Sequence, residues 1–257
     1  MSQYQDQVVL ITGASGGLGR EAALQFGQNG AKLALSDINA DALEATCAEL
    51  RDAGIEVFSR VCDVTDETQV NNFVNGAYEH YGRLDAAVNN AGIDPAHNLL
   101  ADIPLDDYNR TMDINVKGVF LCMKAQIPLM QAQGGGAICN ISSVAGVGAA
   151  PNMSVYAASK HAVLGLTKSA AHEYGKCKIR VNAVCPFITR TPMLDQSLEL
   201  VPPGQREAME KQLGKSAALK RIAEPAEVVT AILFACDKTN SFMTGHELMV
   251  DGGMSAL

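Results

Sequence analysis

A chain of 257 residues that is 47% hydrophobic and 19% charged, with 23 glycines, has the make-up of a globular protein with many tight turns, which excludes disordered and fibrous classes. That length accommodates one large α/β domain without a second core. A formal net charge of −8, carried without any run of lysine or arginine, argues against a nucleic-acid or anionic-membrane partner.

The first residues carry no basic segment and lead directly into Val8-Val9-Leu10-Ile11, so no signal peptide is expected. No apolar stretch approaches the roughly 20 residues that span a bilayer. The seven cysteines are scattered and form no C-x-x-C pair, which predicts free thiols in a reducing compartment and a cytoplasmic location. The five histidines make no ligand-spaced pair with each other or with a cysteine, so no metal site is expected.

Short apolar or β-branched runs near 7–12, 32–37, 56–62, 86–89, 136–141, 179–185 and 246–250 predict strands, and amphipathic segments separate them. Runs such as 32–36 and 179–184 are mostly apolar on both faces, as in parallel strands covered by helices above and below. The connections between them must then be right-handed crossovers. The predicted fold is α/β, a Rossmann-type doubly wound parallel sheet of about seven strands in a single domain over 1–257. The one irregular stretch, 190–223, contains Pro192, Pro202, Pro203 and Gly204 and reads as a lid insertion.

The first strand runs into Thr12-Gly13-Ala14-Ser15-Gly16-Gly17-Leu18-Gly19 and then into a helical pattern. In such a turn Gly13 permits the bend, Gly17 lets backbone approach a pyrophosphate and Gly19 lets helix and strand pack closely, with Ser15 and Leu18 completing the phosphate loop. A glycine-rich turn alone is weak evidence; its value comes from Asp37. That residue ends the second strand close to the spacing of about 20 residues at which this fold holds its ribose-binding carboxylate. A 2′-phosphate would be repelled there, and Ser15, Gly16, Ile38 and Asn39 supply no compensating cation, which favours NAD over NADP. The alternative is that Asp37 merely caps the next turn.

Tyr156 and Lys160 stand four apart in a segment of good helix formers, on one face of a helix. A free phenol titrates near pH 10, and a neighbouring ammonium would lower that value and make the tyrosine a workable acid/base. Taken alone, a Tyr-x-x-x-Lys pair is more often a solvated helix face. Seven motifs in order supply the context: Thr12-Gly13-x3-Gly17-x-Gly19, Asp63-Val64, Asn89-Asn90-Ala91-Gly92, Asn115-x-x-Gly118, Ile141-Ser142-Ser143, Tyr156-x3-Lys160 and Asp251-Gly252-Gly253. In these the chain resembles, over essentially its whole length, the short-chain dehydrogenase/reductase family in its NAD(P)-dependent branch of about 250 residues.

The resemblance implies a role for each matching residue. Tyr156 would be the acid/base, and Lys160 would lower its pKa and hydrogen-bond the nicotinamide ribose. Ser143 would hold the substrate oxygen, with Ser142 as the other candidate, and Asn115 would anchor a proton-relaying water. Asp63 and Val64 would flank the adenine, Asn90 would contact a ribose through its backbone, and Thr189 and Thr191 would bind the nicotinamide end. Asn89 is expected to hydrogen-bond within the fold. The chain departs from the family pattern at Phe187, where glycine is usual; its ring would either wall the substrate site or pack against the lid.

Substrate identity is poorly encoded. The stretches around 93–98, 144–154 and 193–213 that would line the pocket are mainly small or apolar, which predicts an uncharged secondary alcohol or ketone. Arg190 and Arg206 leave room for an anionic tail, so an NAD(P)H-dependent 3-oxoacyl-thioester reductase is the alternative, and a non-catalytic dinucleotide-binding scaffold a remote one. Family members commonly assemble as tetramers or dimers through helices like 104–131 and 152–174 and the C-terminal segment, so a homotetramer is expected.

Overall fold

All seven predicted strands form, each within one residue of its expected bounds: β1 (Val8–Thr12), β2 (Lys32–Asp37), β3 (Val57–Val61), β4 (Ala86–Asn89), β5 (Gly136–Ile141), β6 (Ile179–Pro186) and β7 (Glu247–Val250). In the computed structural model they make one parallel sheet in the order β3-β2-β1-β4-β5-β6-β7. The structure describes residues 3–94, 97–199 and 201–256, and the side chains of all of these but Gln196, Ser197 and Pro203. Of the stretches predicted to line a pocket, residues 95, 96 and 200 lie outside the described residues, as does Leu257 of the C-terminal segment expected at an interface.

The crossovers are α1 (Gly17–Gln28), α2 (Ala40–Asp52), α3 (Glu67–Tyr81), α4 (Leu105–Met112) continuing through a π-helical turn (Asp113–Lys117) into α5 (Gly118–Gln133), and α6 (Ser154–Tyr174). After β6 come α7 (Pro192–Glu199), α8 (Arg206–Gly214) and α9 (Pro225–Cys236). Strand alternation divides the core between two faces. Val9, Ile11, Leu33, Leu35, Ala86 and Val88 pack with Ala23 and Phe26 of α1 and with Val229 and Ile232 of α9. Their strand neighbours Leu10, Ala34 and Ala87 point the other way, onto Phe73 of α3, Ile127 of α5 and Val163 of α6. Because both faces are covered, period-two polarity never develops along these strands, and the runs read as continuously apolar.

Helix starts are specified locally where no ligand is needed. Asn39 caps α2 by accepting from the Ala42 amide at 3.1 Å, Asp66 caps α3, and Glu224 and Glu227 form a capping box around Pro225 at the start of α9. α1 begins at Gly16 with no side-chain cap and no acidic residue in its first turn. Its first amides therefore point out of the turn without an intrahelical acceptor.

Chain order runs outward from β1 through β2 to β3, then returns to β4 on the other side of β1, so a crevice opens at the carboxyl ends of β1 and β4. A buried polar chain holds that edge in register: Asn89 Nδ2 donates to Asn140 Oδ1 at 2.9 Å, Gln126 Nε2 donates to Asn89 Oδ1 at 2.8 Å, and Asn140 Nδ2 donates to Thr167 Oγ1 at 2.9 Å. Asn89 hydrogen-bonds within the fold, as its strand-end position predicts. The 190–223 segment leaves and rejoins the sheet at one point, a parallel bridge between Thr189 and Ala223. Arg190 then straps α8 to this stem, with Nη1 donating to Glu210 at 2.9 Å and Nε to Glu224 at 3.0 Å.

Candidate active site

The glycine turn after β1 is shaped by contacts that only glycine allows at two positions. A Cβ on Gly19 would lie 2.0 Å from the Gly13 carbonyl oxygen, and Gly13 itself has φ +63° with the Ala91 Cα 2.9 Å from where its Cβ would be. The other side of this narrow crossing is Asn90, whose Nδ2 donates to the carbonyls of Thr12 at 3.1 Å and Gly13 at 2.9 Å. The Thr12 hydroxyl accepts from the amides of Asn90 and Ala91, both at 3.1 Å, so β1 and β4 are tied together at the mouth of the crevice. Gly17 faces Thr191: a methyl on Gly17 would sit 3.2 Å from Thr191 Cβ. Thr189, buried behind it, donates to the Phe187 carbonyl at 2.8 Å. The Phe187 ring is itself buried, and its amide donates to Val250 of β7 at 3.0 Å.

Asp37 stands at the end of β2 with both oxygens turned to backbone amides: Oδ2 accepts from Ser15 at 3.1 Å and Oδ1 from Asn39 at 3.0 Å. The capping alternative is therefore present in the molecule, but so is a direct tie to the phosphate loop. After β3, Asp63 Oδ1 accepts from the Thr65 amide at 2.8 Å, and Val64 is buried against Gly118 at the start of α5.

Four side chains meet at the carboxyl end of β5. The Asn115 side chain, fully buried in the π-helical turn, clamps the loop after β4 by accepting from the Ile93 amide at 2.8 Å and donating to the Ile93 carbonyl at 3.0 Å; it also donates to Ser159 at 3.2 Å. The clamp brings Gly92 within reach of Lys160, whose Nζ would lie 3.6 Å from a Cβ placed there. Lys160 donates to the Ile141 carbonyl at 3.0 Å, and its Nζ lies 5.4 Å from the centre of the Tyr156 ring. The two candidate serines separate clearly. Ser142 turns inward and donates to the Lys160 carbonyl at 3.0 Å, whereas Ser143 hydrogen-bonds with the Tyr156 phenol and accepts from the Ala145 amide at 3.1 Å.

Burial pushes the Tyr156 phenol up to about 12, a shift that the Ser143 hydrogen bond opposes and the charge of Asp94 reinforces. Burial also lowers the Lys160 ammonium to about 8, against the pull of Cys185 and Asp94. Both shifts have one physical cause, because burial disfavours the charged form, phenolate in one group and ammonium in the other.

Asp94 is the site residue that the sequence did not single out. It lies in a stretch predicted to line the pocket, yet nothing in its spacing marks its carboxylate. The π-helical turn that delivers Asn115 was equally unmarked, beyond the Asn115-x-x-Gly118 motif itself. Among the described residues no three His, Cys, Asp or Glu side chains are grouped to hold a metal ion, and no helix is long and apolar enough to cross a membrane.

A family model described as enoyl-(acyl carrier protein) reductase matches residues 13–255. Levodione reductase from Leifsonia aquatica is 37% identical over 99% of this chain and 96% of its own length. The chain belongs to the short-chain dehydrogenase/reductase family. Within that family, 2,5-dichloro-2,5-cyclohexadiene-1,4-diol dehydrogenase from Sphingobium indicum is 39% identical over the whole of both chains. The crystal structure of carveol dehydrogenase from Mycobacterium avium in complex with NAD superposes with a TM-score of 0.94 and 30% identity over the whole of both chains. As a short-chain dehydrogenase/reductase, this chain is an oxidoreductase that moves hydride between a nicotinamide dinucleotide and an alcohol or ketone.

Proposed function

We propose that the protein interconverts an uncharged secondary alcohol and its ketone with NAD, using Tyr156 as acid/base, Ser143 as the donor to the reacting oxygen, and Lys160 and Asn115 as the groups that position and resupply the proton. The observation that carries this reading is the convergence of these four side chains at one end of β5, beside the crevice of the doubly wound sheet. The residues around the crevice fit a dinucleotide. Gly13, Gly17 and Gly19 leave the backbone bare, nothing lies within 4 Å of where a Cβ on Gly16 would stand, and the uncapped start of α1 offers amides to a pyrophosphate. Ser15, Leu18, Asp63, Val64, Asn90, Thr189 and Thr191 would complete the binding surface. The bound nicotinamide would accept or deliver the hydride.

For ketone reduction, the neutral phenol of Tyr156 donates a proton to the substrate oxygen while Ser143 holds that oxygen through a second hydrogen bond. Lys160 and the buried Asn115 keep the donor oriented. For alcohol oxidation Tyr156 first gives up its own proton, and its phenolate oxygen then receives the one from the carbinol. Arg190, left open from sequence as a contact for an anionic tail, is already neutralised by Glu210 and Glu224, which weighs against the thioester alternative. The names borne by levodione reductase and the diol dehydrogenase also point to small carbonyls and alcohols. Assaying secondary alcohols with NAD and NADP separately, by absorbance of the reduced cofactor, should show turnover with NAD; turnover of acyl thioesters alone would overturn the reading.

The preference for NAD rests on Asp37. Ile38 beside it is largely exposed, so the pair Asp37→Ser and Ile38→Arg removes a negative charge and adds a cation, at the cost of hydrogen bonds that Asp37 accepts from Ser15 and Asn39. The ratio of kcat/KM for NADP over NAD should rise about 100-fold, the range of a hydrogen bond to a charged group gained at one site and lost at another. An unchanged ratio would remove Asp37 from the ribose site.

We also assign a homo-oligomer, with a tetramer favoured. Leu105, Tyr108 and Phe120 stand exposed on α4 and α5, in the segment expected to pair, which supports an apolar interface there. The segment 190–223 serves in this reading as the lid, supported by its closed stem at Thr189 and Ala223 and by the contact of Thr191 with Gly17.

A further inference from the structure

One carboxylate at the active site is left with unused hydrogen-bonding capacity. Asp94 follows the Asn115-clamped Ile93 in the loop after β4, and its charge acts on both Tyr156 and Lys160. Among the described residues its Oδ2 meets Nε2 of the half-exposed His97 at 3.2 Å, and its Oδ1 is buried with no partner. Among the described residues the only other buried, unpartnered side-chain oxygen or nitrogen is the Ser36 hydroxyl. An ionised carboxylate accepts about four hydrogen bonds, and leaving one oxygen of it dry and unpaired is among the costlier arrangements a fold can hold. The side chain keeps 17% of its surface open, enough for a turn about its Cβ–Cγ bond to present either oxygen to a ligand.

We infer that Asp94 accepts a hydrogen bond from a second hydroxyl group of the substrate, so that the preferred substrates are diols, polyols or hydroxyketones rather than simple alcohols. This rests on the function proposed above and names the substrate class for the same site. A hydroxyl suits the acceptor better than an ammonium, because the buried Lys160 already places one positive charge beside it and a second would be repelled. Asp94 follows Gly92 and Ile93 in the loop that Asn115 holds against Lys160, so the hydrogen bond would hold the remote end of the molecule while Ser143 and Tyr156 hold the reacting oxygen. Binding energy gained at the far hydroxyl is then used to orient the carbinol for hydride transfer.

The test compares the isomeric cyclohexanediols with cyclohexanol, in the presence of NAD, for the wild-type enzyme and for Asp94→Asn and Asp94→Ala. The quantity read is the ratio of kcat/KM for the best diol to kcat/KM for the mono-alcohol. Wild-type enzyme should favour the diol, and both variants should lose about 10- to 100-fold of that ratio, the range for one hydrogen bond to a charged acceptor. A ratio that does not move, whether both rates fall together or neither falls, overturns the inference and makes Asp94 an electrostatic neighbour of Tyr156 only. A wild-type enzyme that oxidises the diols no better than cyclohexanol overturns it as well. A wild-type enzyme that oxidises no alcohol under any condition would instead defeat the proposed function, so the two failures are distinguishable.

Discussion

Tyr156→Phe should lower kcat by about a thousandfold, with folding and NAD binding intact. General acid–base catalysis contributes typically about 10²–10⁴-fold. Ser143 can still hold the reacting oxygen by a hydrogen bond, but its alkoxide is too basic to stand in for the phenol as proton donor, and Lys160 reaches the Ile141 carbonyl. The ring that remains keeps its packing and its place 5.4 Å from the Lys160 ammonium, so the substitution removes one oxygen and little else. Steady-state rates in both directions, with NAD affinity measured separately by calorimetry, would check this. A variant that kept more than a tenth of wild-type turnover would move the proton donor elsewhere.

Lys160→Met should abolish most activity and yet leave a protein whose stability responds differently to pH. The folded Lys160 titrates near 8 and the unfolded side chain near 10.5. Between those values the unfolded chain binds the proton and the folded one does not, so wild-type stability gains from this group as pH rises from about 8 to 10.5 and carries the full cost of the buried ammonium below 8. At about 1.4 kcal/mol per pKa unit, the difference in unfolding free energy between wild type and Lys160→Met should shift toward wild type by up to about 3 kcal/mol across that window. Taking the difference removes the tyrosines and cysteines that titrate in the same range in both proteins. Urea unfolding of the ligand-free enzyme at several pH values would measure it, and a flat difference would mean that Lys160 titrates normally in the fold.

Much of this molecule is legible one segment at a time. Continuous apolar runs such as Val8-Val9-Leu10-Ile11 and Ile138-Cys139 announce strands covered on both faces, because each residue of such a strand meets a helix on one side or the other. The glycine turn, the carboxylate at Asp37 and the Tyr156–Lys160 spacing are likewise local. In each, backbone geometry or helical periodicity alone places the groups, whatever the rest of the chain does.

What the chain could not announce is anything set by burial or by contact between distant segments. Asp94 looks from its neighbours like one more loop carboxylate, and only the folded structure buries one of its oxygens without a partner and brings its charge to bear on Tyr156 and Lys160. The division of labour between Ser142 and Ser143 was likewise open until β5 met α6. The Tyr156 shift was likewise out of reach: helical spacing supplies an ammonium on the same face as a phenol, but burial among the surrounding layers pushes the phenol up. Sequence thus determined the fold, the glycine turn and the Tyr156–Lys160 spacing, because these follow from local geometry and period. Tertiary structure decided the protonation balance and the extra carboxylate, because the free energy of a charge depends on everything packed around it.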